Sequence, residues 1–259
     1  MFQRTSFLFL SLLLSAAVGC SGTSEKDDDD ESAAGAGNEP EVPEVPDYCQ
    51  QAFGPTDPTA LIDDLEDRNP LIAPVAGRNG SWWVVSDGSA GSITPPSDAA
   101  PPPELIVGGR CEDSRYAVRI TGQGFTEWGA VLVAGMRFGT APEPVDLSDF
   151  RGIMFWAKVG ETHNSAVRVQ FQDSSTQPEG GVCDPTPGST DECYNGWGTA
   201  LLPLGTEWRL YQLEFSRMAQ REFGHLGEAI DTTNIYSIEW SVTQNTVFDL
   251  WVDDVWLYE

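Results

Sequence analysis

The chain has 259 residues, and its 40 Asp and Glu against 14 Lys and Arg give a formal net charge of −26 at pH 7. Residues 48–259, with 30 acidic and 12 basic residues, carry about −18 of this charge. Such a charge repels phosphate backbones, anionic lipids and polyanionic glycans, so it excludes nucleic acid and those surfaces as partners. Neutral ligands and cations remain compatible with it.

The N-terminal segment predicts export. Arg4 precedes an apolar run at residues 7–14, and small residues then lead to Cys20. This order is that of an export signal, and the run is too short for a retained transmembrane helix. Residues 17–20, Ala-Val-Gly-Cys, resemble the lipobox of bacterial lipoproteins, which implies a signal peptide at residues 1–19 and a lipid on Cys20. An ordinary secretory signal with a chance cysteine is the alternative.

Residues 20–47 predict a disordered tether. They contain five consecutive acidic residues at 27–31 and a Pro- and Glu-rich stretch at 39–46, with no aromatic side chain. Such a segment cannot bury enough apolar surface to offset its ordering entropy, and its charge and prolines extend it. We therefore expect a domain, residues 48–259, held off a membrane of the bacterial cell envelope, either the outer membrane or the cell surface.

The sequence pattern of the domain predicts an all-β fold. Short apolar or alternating runs are separated by segments rich in Gly, Pro, Asn and Asp, which is typical of strands and their connections. The only helical pieces that we expect are short ones near residues 57–61 and 216–222. Nine strands in a domain of this size predict a two-sheet antiparallel β-sandwich, a jelly roll, and we expect it to be a monomer. The predicted strands are 82–86, 116–121, 130–134, 152–159, 166–172, 199–202, 209–215, 235–242 and 247–258.

The cysteines indicate disulfides. With Cys20 assigned to lipid, Cys49, Cys111, Cys183 and Cys193 remain, an even number in an exported chain. Three pairings are possible. We favour Cys183–Cys193, since these residues bracket a turn-rich loop, and Cys49–Cys111 by remainder. The alternative, a zinc site, is disfavoured because the chain has no CxxC motif and only two histidines.

Both ends of the domain carry a family resemblance. Residues 61–67 (LIDDLED) lead to 77–83 (GRNGSWW) and the Asp87-Gly88 turn, and residues 248–255 (FDLWVDDV) form the last strand. These motifs resemble the galactose-binding-like jelly rolls, and among them the family 11 carbohydrate-binding modules and their lipoprotein relatives. The resemblance spans residues 62–258.

The family resemblance implies a structural calcium ion where the first and last strands meet. The matching positions here are Asp64, Glu66, Asp87 and Asp253. Converging carboxylates suit a cation that takes six to eight oxygen ligands, and strand alternation lets only one of Asp253 and Asp254 face it. The alternative is that these acids cap turns and pair with arginines such as Arg78 or Arg110.

The resemblance also implies a carbohydrate surface, in which exposed aromatic rings stack on sugars and planar polar groups hold hydroxyls. Side-chain alternation puts Trp156 on the outer face of one strand and a row of Arg and Gln side chains on the outer face of the next. We therefore expect an aromatic platform beside this polar row on a concave sheet. Tyr194 and Trp197 would form its wall. Four other tryptophans, Trp82, Trp208, Trp240 and Trp251, are assigned to packing. The predicted ligand contacts are Trp156, Arg168, Gln170, Gln172, Tyr194 and Trp197.

No sequence pattern selects a catalytic site. Asp191, Glu192 and Glu239 are carboxylates that nothing distinguishes from surface charge, and His163 and His225 lie in turn-rich segments without a nucleophile elbow. The expected function is non-catalytic binding of a neutral polysaccharide or glycan. A structural or protein-interaction lipoprotein without a sugar site is the alternative, and a glycoside hydrolase is a weaker one.

Overall fold

Residues 57–106, 110–111 and 114–259 are described by the computed structural model. This part of the chain contains fourteen β-strands, three 3-10 helical turns and no α-helix. The turns are Pro58–Ala60, Pro178–Gly180 and Phe215–Arg217. The strands are β1 (Leu61–Asp63), β2 (Trp82–Ser86), β3 (Ser92–Thr94), β4 (Glu104–Leu105), β5 (Tyr116–Gln123), β6 (Ala130–Gly135), β7 (Arg137–Phe138), β8 (Pro142–Glu143), β9 (Gly152–Val159), β10 (Val167–Asp173), β11 (Trp197–Gly198), β12 (Arg209–Glu214), β13 (Ile235–Val242) and β14 (Val247–Tyr258).

The strands form two antiparallel sheets and one small two-stranded pair. The first sheet has the order β12-β9-β14-β5-β3, with β1 also paired to β14 and β4 to β5. The second sheet has the order β11-β10-β13-β6-β2, and β7 pairs with β8. Successive long strands cross from one sheet to the other, as β9 to β10 and β13 to β14 do. The predicted two-sheet sandwich is therefore confirmed.

The core lies between the two sheets. On β10 the apolar side chains Val167, Val169 and Phe171 point into it, because successive residues of a strand alternate between faces. The ring of Trp240 lies 5.4 Å from that of Trp82 and 5.5 Å from that of Phe155. Each fully buried side chain of this size contributes roughly 1.5–3 kcal/mol to the free energy of unfolding. Packing roles for Trp82 and Trp240 are confirmed.

The outer face of the first sheet carries a second apolar cluster. It contains Trp156, Trp208 and Trp256, and Trp251 packs against its edge. Ile106, which follows β4, lies in the same cluster. The segment around β4 therefore covers this face.

The predicted strand at residues 199–202 is wrong. Thr199 and Leu202 donate backbone N–H groups to Val169 and Val167, but Leu201 between them is exposed. Only Trp197–Gly198 forms the edge strand β11. The chain bulges away from β10 here, which breaks the ladder that the apolar run predicts.

One predicted disulfide is present, and the other predictions about cysteines fall on residues that are not described. Cys183 and Cys193 are joined, as the turn-rich loop between them suggests. Cys49 lies outside the described residues, so its pairing with Cys111 stays a prediction. The signal peptide, the lipid on Cys20 and the linker lie outside them as well. Within the described ranges, no helix is long and apolar enough to cross a membrane.

Candidate functional site

The outer face of the second sheet combines polar and aromatic side chains, and we call it the Glu239 face. The strand register places Gln170 opposite Glu239, Glu239 opposite Val133, and Val133 opposite Trp83. These residues form one row across β10, β13, β6 and β2, about 14 Å long at the usual strand spacing. This row of side chains forms the centre of the candidate site.

Three neutral donors surround the Glu239 carboxylate. Gln170 Nε2 lies 2.7 Å and Gln172 Nε2 lies 3.0 Å from the same oxygen, Oε2. Ser237 donates its hydroxyl to Oε1 over 3.1 Å. Because an ionised carboxylate only accepts hydrogen bonds, it orients both amides with their nitrogens toward it.

Glu239 has an unusual electrostatic environment. Its side chain is partly buried, and within the part of the chain that the structure describes it forms no salt bridge. Burial raises the pKa of Glu239, and the hydrogen bonds from Gln170, Gln172 and Ser237 oppose that rise. Neutral dipoles alone therefore hold this carboxylate.

Tyr194 stands at one end of the Glu239 face. It directly follows Cys193 and is 55% exposed. Its backbone φ of +70° lies in the left-handed region, where a bulky residue is uncommon and often marks a functional site. Gly196, two residues further on, lies so close to the side chains of Gln170 and Gln172 that a Cβ there would collide with the Gln172 amide, which brings the Tyr194 segment to this end of the face. Burial and the charges of Glu179 and Glu239 raise the pKa of Tyr194.

A second aromatic group borders the face at β2. The ring of Trp83 lies 5.2 Å from that of Phe138 in an edge-to-face arrangement. A Cβ on Gly135 would collide with both rings, so this glycine lets them lie close to the sheet. The face thus has a polar floor between aromatic groups on β2 and in the loop after Cys193.

Arg168 belongs to the same face but is occupied by the protein. Its side chain is buried, and its Nη2 donates to the carbonyl oxygens of Gly196 and Ala219. Burial lowers the pKa of Arg168 to about 10, with a contribution from the charge of Arg221. Arg168 therefore holds the 196–219 region against β10.

Trp156 does not belong to this face, so its predicted place beside Arg168 is wrong. Its strand, β9, is in the first sheet and β10 is in the second, and the outward side chains of the two strands point to opposite surfaces. Trp156 is only 3% exposed, packed with Trp208 and Trp256. The guanidinium of Arg110 lies 4.6 Å from its ring.

The expected exposure of Trp197 is also wrong. Trp197 is opposite Phe171 on the β10–β11 ladder, and both side chains point into the core. Trp197 is 5% exposed, and Gly227 lies close to its ring. Of the predicted aromatic contacts, only Tyr194 is open to solvent.

The acidic residues near the first and last strands surround an arginine. Arg110 Nε lies 2.9 Å from Asp253 Oδ2, and Arg110 Nη2 pairs with Asp254. Ser114 donates a further hydrogen bond to Asp253 over 2.7 Å. Glu66 Oε1 accepts from the backbone N–H groups of residues 115 and 116. This arrangement matches the arginine-pairing alternative for Arg110, whereas Arg78 donates to backbone carbonyl oxygens.

The described residues do not fit a calcium ion at the four predicted positions. Both carboxylate oxygens of Asp253 already accept hydrogen bonds, and Asp64 accepts from the N–H of Glu66. Asp87 caps a separate loop. Burial raises its pKa, but hydrogen bonds from Ser89 and from the backbone N–H groups of residues 127–129 outweigh this effect and lower the pKa to about 2. Over the described ranges, no three His, Cys, Asp or Glu side chains are arranged as metal ligands. Calcium stays a prediction of the resemblance.

The structure does not bring the candidate catalytic groups together. Asp191 pairs with His225 over 2.6 Å, and Glu192 accepts a backbone N–H from Gly188. His163 contacts the carbonyl of Ser165 and the N–H of Asp249 through its two ring nitrogens. In the described portion, neither histidine bonds a serine or cysteine side chain, so no histidine-activated nucleophile of that kind is found there.

Sequence reasoning missed three members of the site. Trp83 and Phe138 were not singled out, because nothing local shows that β2 and β7 border one surface. Glu239 was noted only as an acid. Its outward position could be found from alternation with buried Ile238 and Trp240, but its pairing with Gln170 depends on the strand register.

No protein-family model and no curated protein sequence matches the chain. Among solved structures, the chain is similar to a family 11 carbohydrate-binding module from Clostridium thermocellum in complex with a β-1,3-1,4-mixed-linked tetrasaccharide. That match has 17% identity, covers 77% of this chain and 94% of the module, and has a TM-score of 0.49.

A family 30 carbohydrate-binding module of a cellulosomal cellulase of the same organism has 13% identity over 69% of this chain and 91% of its own, with a TM-score of 0.44. TmCBM61, solved with β-1,4-galactotriose, has 13% identity over 76% and 94%, with a TM-score of 0.36.

Proposed function

We propose that this chain is a non-catalytic, lipid-anchored protein of the bacterial cell envelope that binds a glycan without negative charge on the Glu239 face. The observation that carries the proposal is the exposed ring of Tyr194, two residues before Gly196, which packs against the Gln170 and Gln172 side chains next to Glu239. A sugar ring has an apolar CH face and a polar rim, so it matches an aromatic surface next to planar amides and a carboxylate.

Several features of the face support a polymer rather than a small molecule. The row from Gln170 to Trp83 spans four strands of the second sheet, about 14 Å. Aromatic groups border it at two places, Tyr194 and Trp83, so more than one sugar unit could stack. The net charge of −26 disfavours anionic polysaccharides.

Affinity electrophoresis of the full-length chain through gels containing non-anionic polysaccharides tests the proposal. Tyr194→Ala should abolish the retardation, and Trp128→Ala is the matched control. Trp128 is also an exposed aromatic residue, 49% accessible, but it precedes β6 at the opposite end of the second sheet. Equal retardation of Tyr194→Ala and the wild-type chain would refute this site.

One observation favours a protein-interaction role as the second candidate. Near the disulfide loop, Val182, Phe223 and Leu226 are exposed apolar side chains. Asn195, which follows Tyr194, donates its Nδ2 to the carbonyl of Phe223, so Phe223 lies close to Tyr194 in the fold. No retardation by any polysaccharide, with the chain folded, would favour this second role.

A further inference from the structure

The hydrogen-bond balance of the Glu239 face carries information about its ligand. The amide nitrogens of Gln170 and Gln172 and the hydroxyl of Ser237 are all directed to Glu239. Arg168 is directed to backbone carbonyls. One N–H of each glutamine amide, the Ser237 hydroxyl and Arg168 Nη2 are therefore engaged within the protein, whereas Arg168 Nε is buried without a partner.

An acceptor is left over at the same place. Gln172 is 1% exposed, and its Oε1 is buried with no hydrogen-bond partner in the structure. The amide cannot be reversed without setting its oxygen against the Glu239 carboxylate, since both would then be acceptors. A buried unsatisfied acceptor is unfavourable. The negative end of this amide dipole is therefore unpaired next to Glu239, which favours a cation there.

The charge at this position has no cationic partner among the residues described. A carboxylate that is partly removed from water is ordinarily paired with a cation, but Glu239 has only neutral partners there. The exposed ring of Tyr194 lies at the same end of the face, two residues before Gly196, which packs against Gln170 and Gln172. A tyrosine ring near a carboxylate forms a setting in which an ammonium gains from both the charge and the π-face.

We infer that the Glu239 face recognises a glycan through an ammonium group on the sugar ring, that is, an unacetylated amino sugar whose ammonium lies against the Glu239 carboxylate, on the side of the unpaired Gln172 carbonyl dipole. The inference rests on the proposed glycan-binding function and names the class of sugar. An ammonium has three donors and no acceptor, which suits a carboxylate that lies next to an unpaired carbonyl dipole. The acidic surface of the protein favours the approach of such a ligand.

Three β-1,4-linked hexasaccharides that differ only at C2 test the inference: those of glucosamine, N-acetylglucosamine and glucose. Titration calorimetry of the full-length chain should give at least roughly tenfold tighter binding of the glucosamine form than of the other two, as a desolvated charge pair predicts. Glu239→Gln should remove the difference. Glu207→Gln, which removes one exposed charge next to Trp208 on the other sheet, is the matched control and should keep it.

The possible outcomes separate the two proposals. Equal binding of the amino and hydroxyl forms, or equal losses in Glu239→Gln and Glu207→Gln, overturns the ammonium inference and leaves glycan binding standing. No binding of these sugars or of any polysaccharide removes both. If Glu239→Gln fails to fold, Tyr194→Leu serves instead: it keeps an apolar surface but no π-face, so the glucosamine form must lose more affinity than the glucose form.

Discussion

Gln170 and Glu239 lie directly opposite each other on β10 and β13, with the amide nitrogen 2.7 Å from the carboxylate. Their contact joins two adjacent strands on the outer face of the second sheet. The pair is polar, whereas Val169, Phe171, Ile238 and Trp240 on the inner face of the same strands are apolar. A side-chain pair of this kind fixes the positions of the groups that a ligand would meet.

Substitution of Trp156 should affect stability and not binding. Trp156→Ala removes a buried ring from the cluster under Ile106 and should lower the free energy of unfolding by about 3–5 kcal/mol. Since Trp156 lies on the surface opposite Glu239, glycan affinity per folded molecule should not change. Urea denaturation with affinity electrophoresis measures both, and Trp156→Phe supplies a milder variant. A loss of affinity in folded Trp156→Phe would contradict the site assignment.

Loss of Arg110 should destabilise the fold more than loss of another paired arginine. Arg110→Ala leaves the buried Asp253 carboxylate without its cation, which should reduce stability by about 3–5 kcal/mol. Arg119→Ala is the control, because its salt bridges to Asp249 and Glu104 are partly exposed and contribute about 1 kcal/mol or less. Thermal melts compare the two. Equal shifts would contradict the role of burial.

Melts with calcium and with a chelator belong to the same experiment. A wild-type melting temperature that rises only with calcium would support the ion that the family resemblance implies. An unchanged melting temperature is expected if Arg110 alone compensates the charge of Asp253.

Stability should fall as pH rises from about 4 to 7. Burial raises the pKa of Asp63 from 3.8 to about 7, against hydrogen bonds from Leu65 and Trp82. Between these two values the folded state binds more protons than the unfolded state, so stability is lost with increasing pH, by at most about 1.4 kcal/mol per unit for this group. Asp63→Asn should remove that part of the slope in urea titrations. A slope identical to that of the wild type would contradict this role of Asp63, since the other carboxylates whose pKa burial raises, Glu239, Asp253 and Asp254, are present in both proteins.

Removing the disulfide should weaken both stability and binding. Cys183 and Cys193 are ten positions apart, and the chain-entropy model gives about 2–3 kcal/mol for closing such a loop. Tyr194 follows Cys193 directly, so Cys183→Ser with Cys193→Ser should also lower glycan affinity. Thermal melts and electrophoresis measure the two effects. Unchanged affinity would mean that the backbone bond from Tyr194 to Thr176 holds the ring in place without the disulfide.

The sequence by itself determined the fold class, most strands and which side chains of a strand share a face. Alternation correctly placed Val167, Val169 and Phe171 inside β10, because the side-chain period of a strand is a local property. The loop composition around Cys183 and Cys193 likewise favoured the disulfide that is present. These inferences need only residues near one another in the chain.

Only the tertiary structure decided where the outward faces go. Trp156 and Arg168 are both outward on consecutive strands, yet β9 and β10 belong to different sheets and their outer faces are opposite surfaces of the sandwich. Whether such a face is open or covered depends on remote segments, such as the one around β4 that covers Trp156. The pairing of Gln170 with Glu239 joins positions 69 residues apart, and a register of that kind is set by packing of the whole sheet rather than by any local pattern.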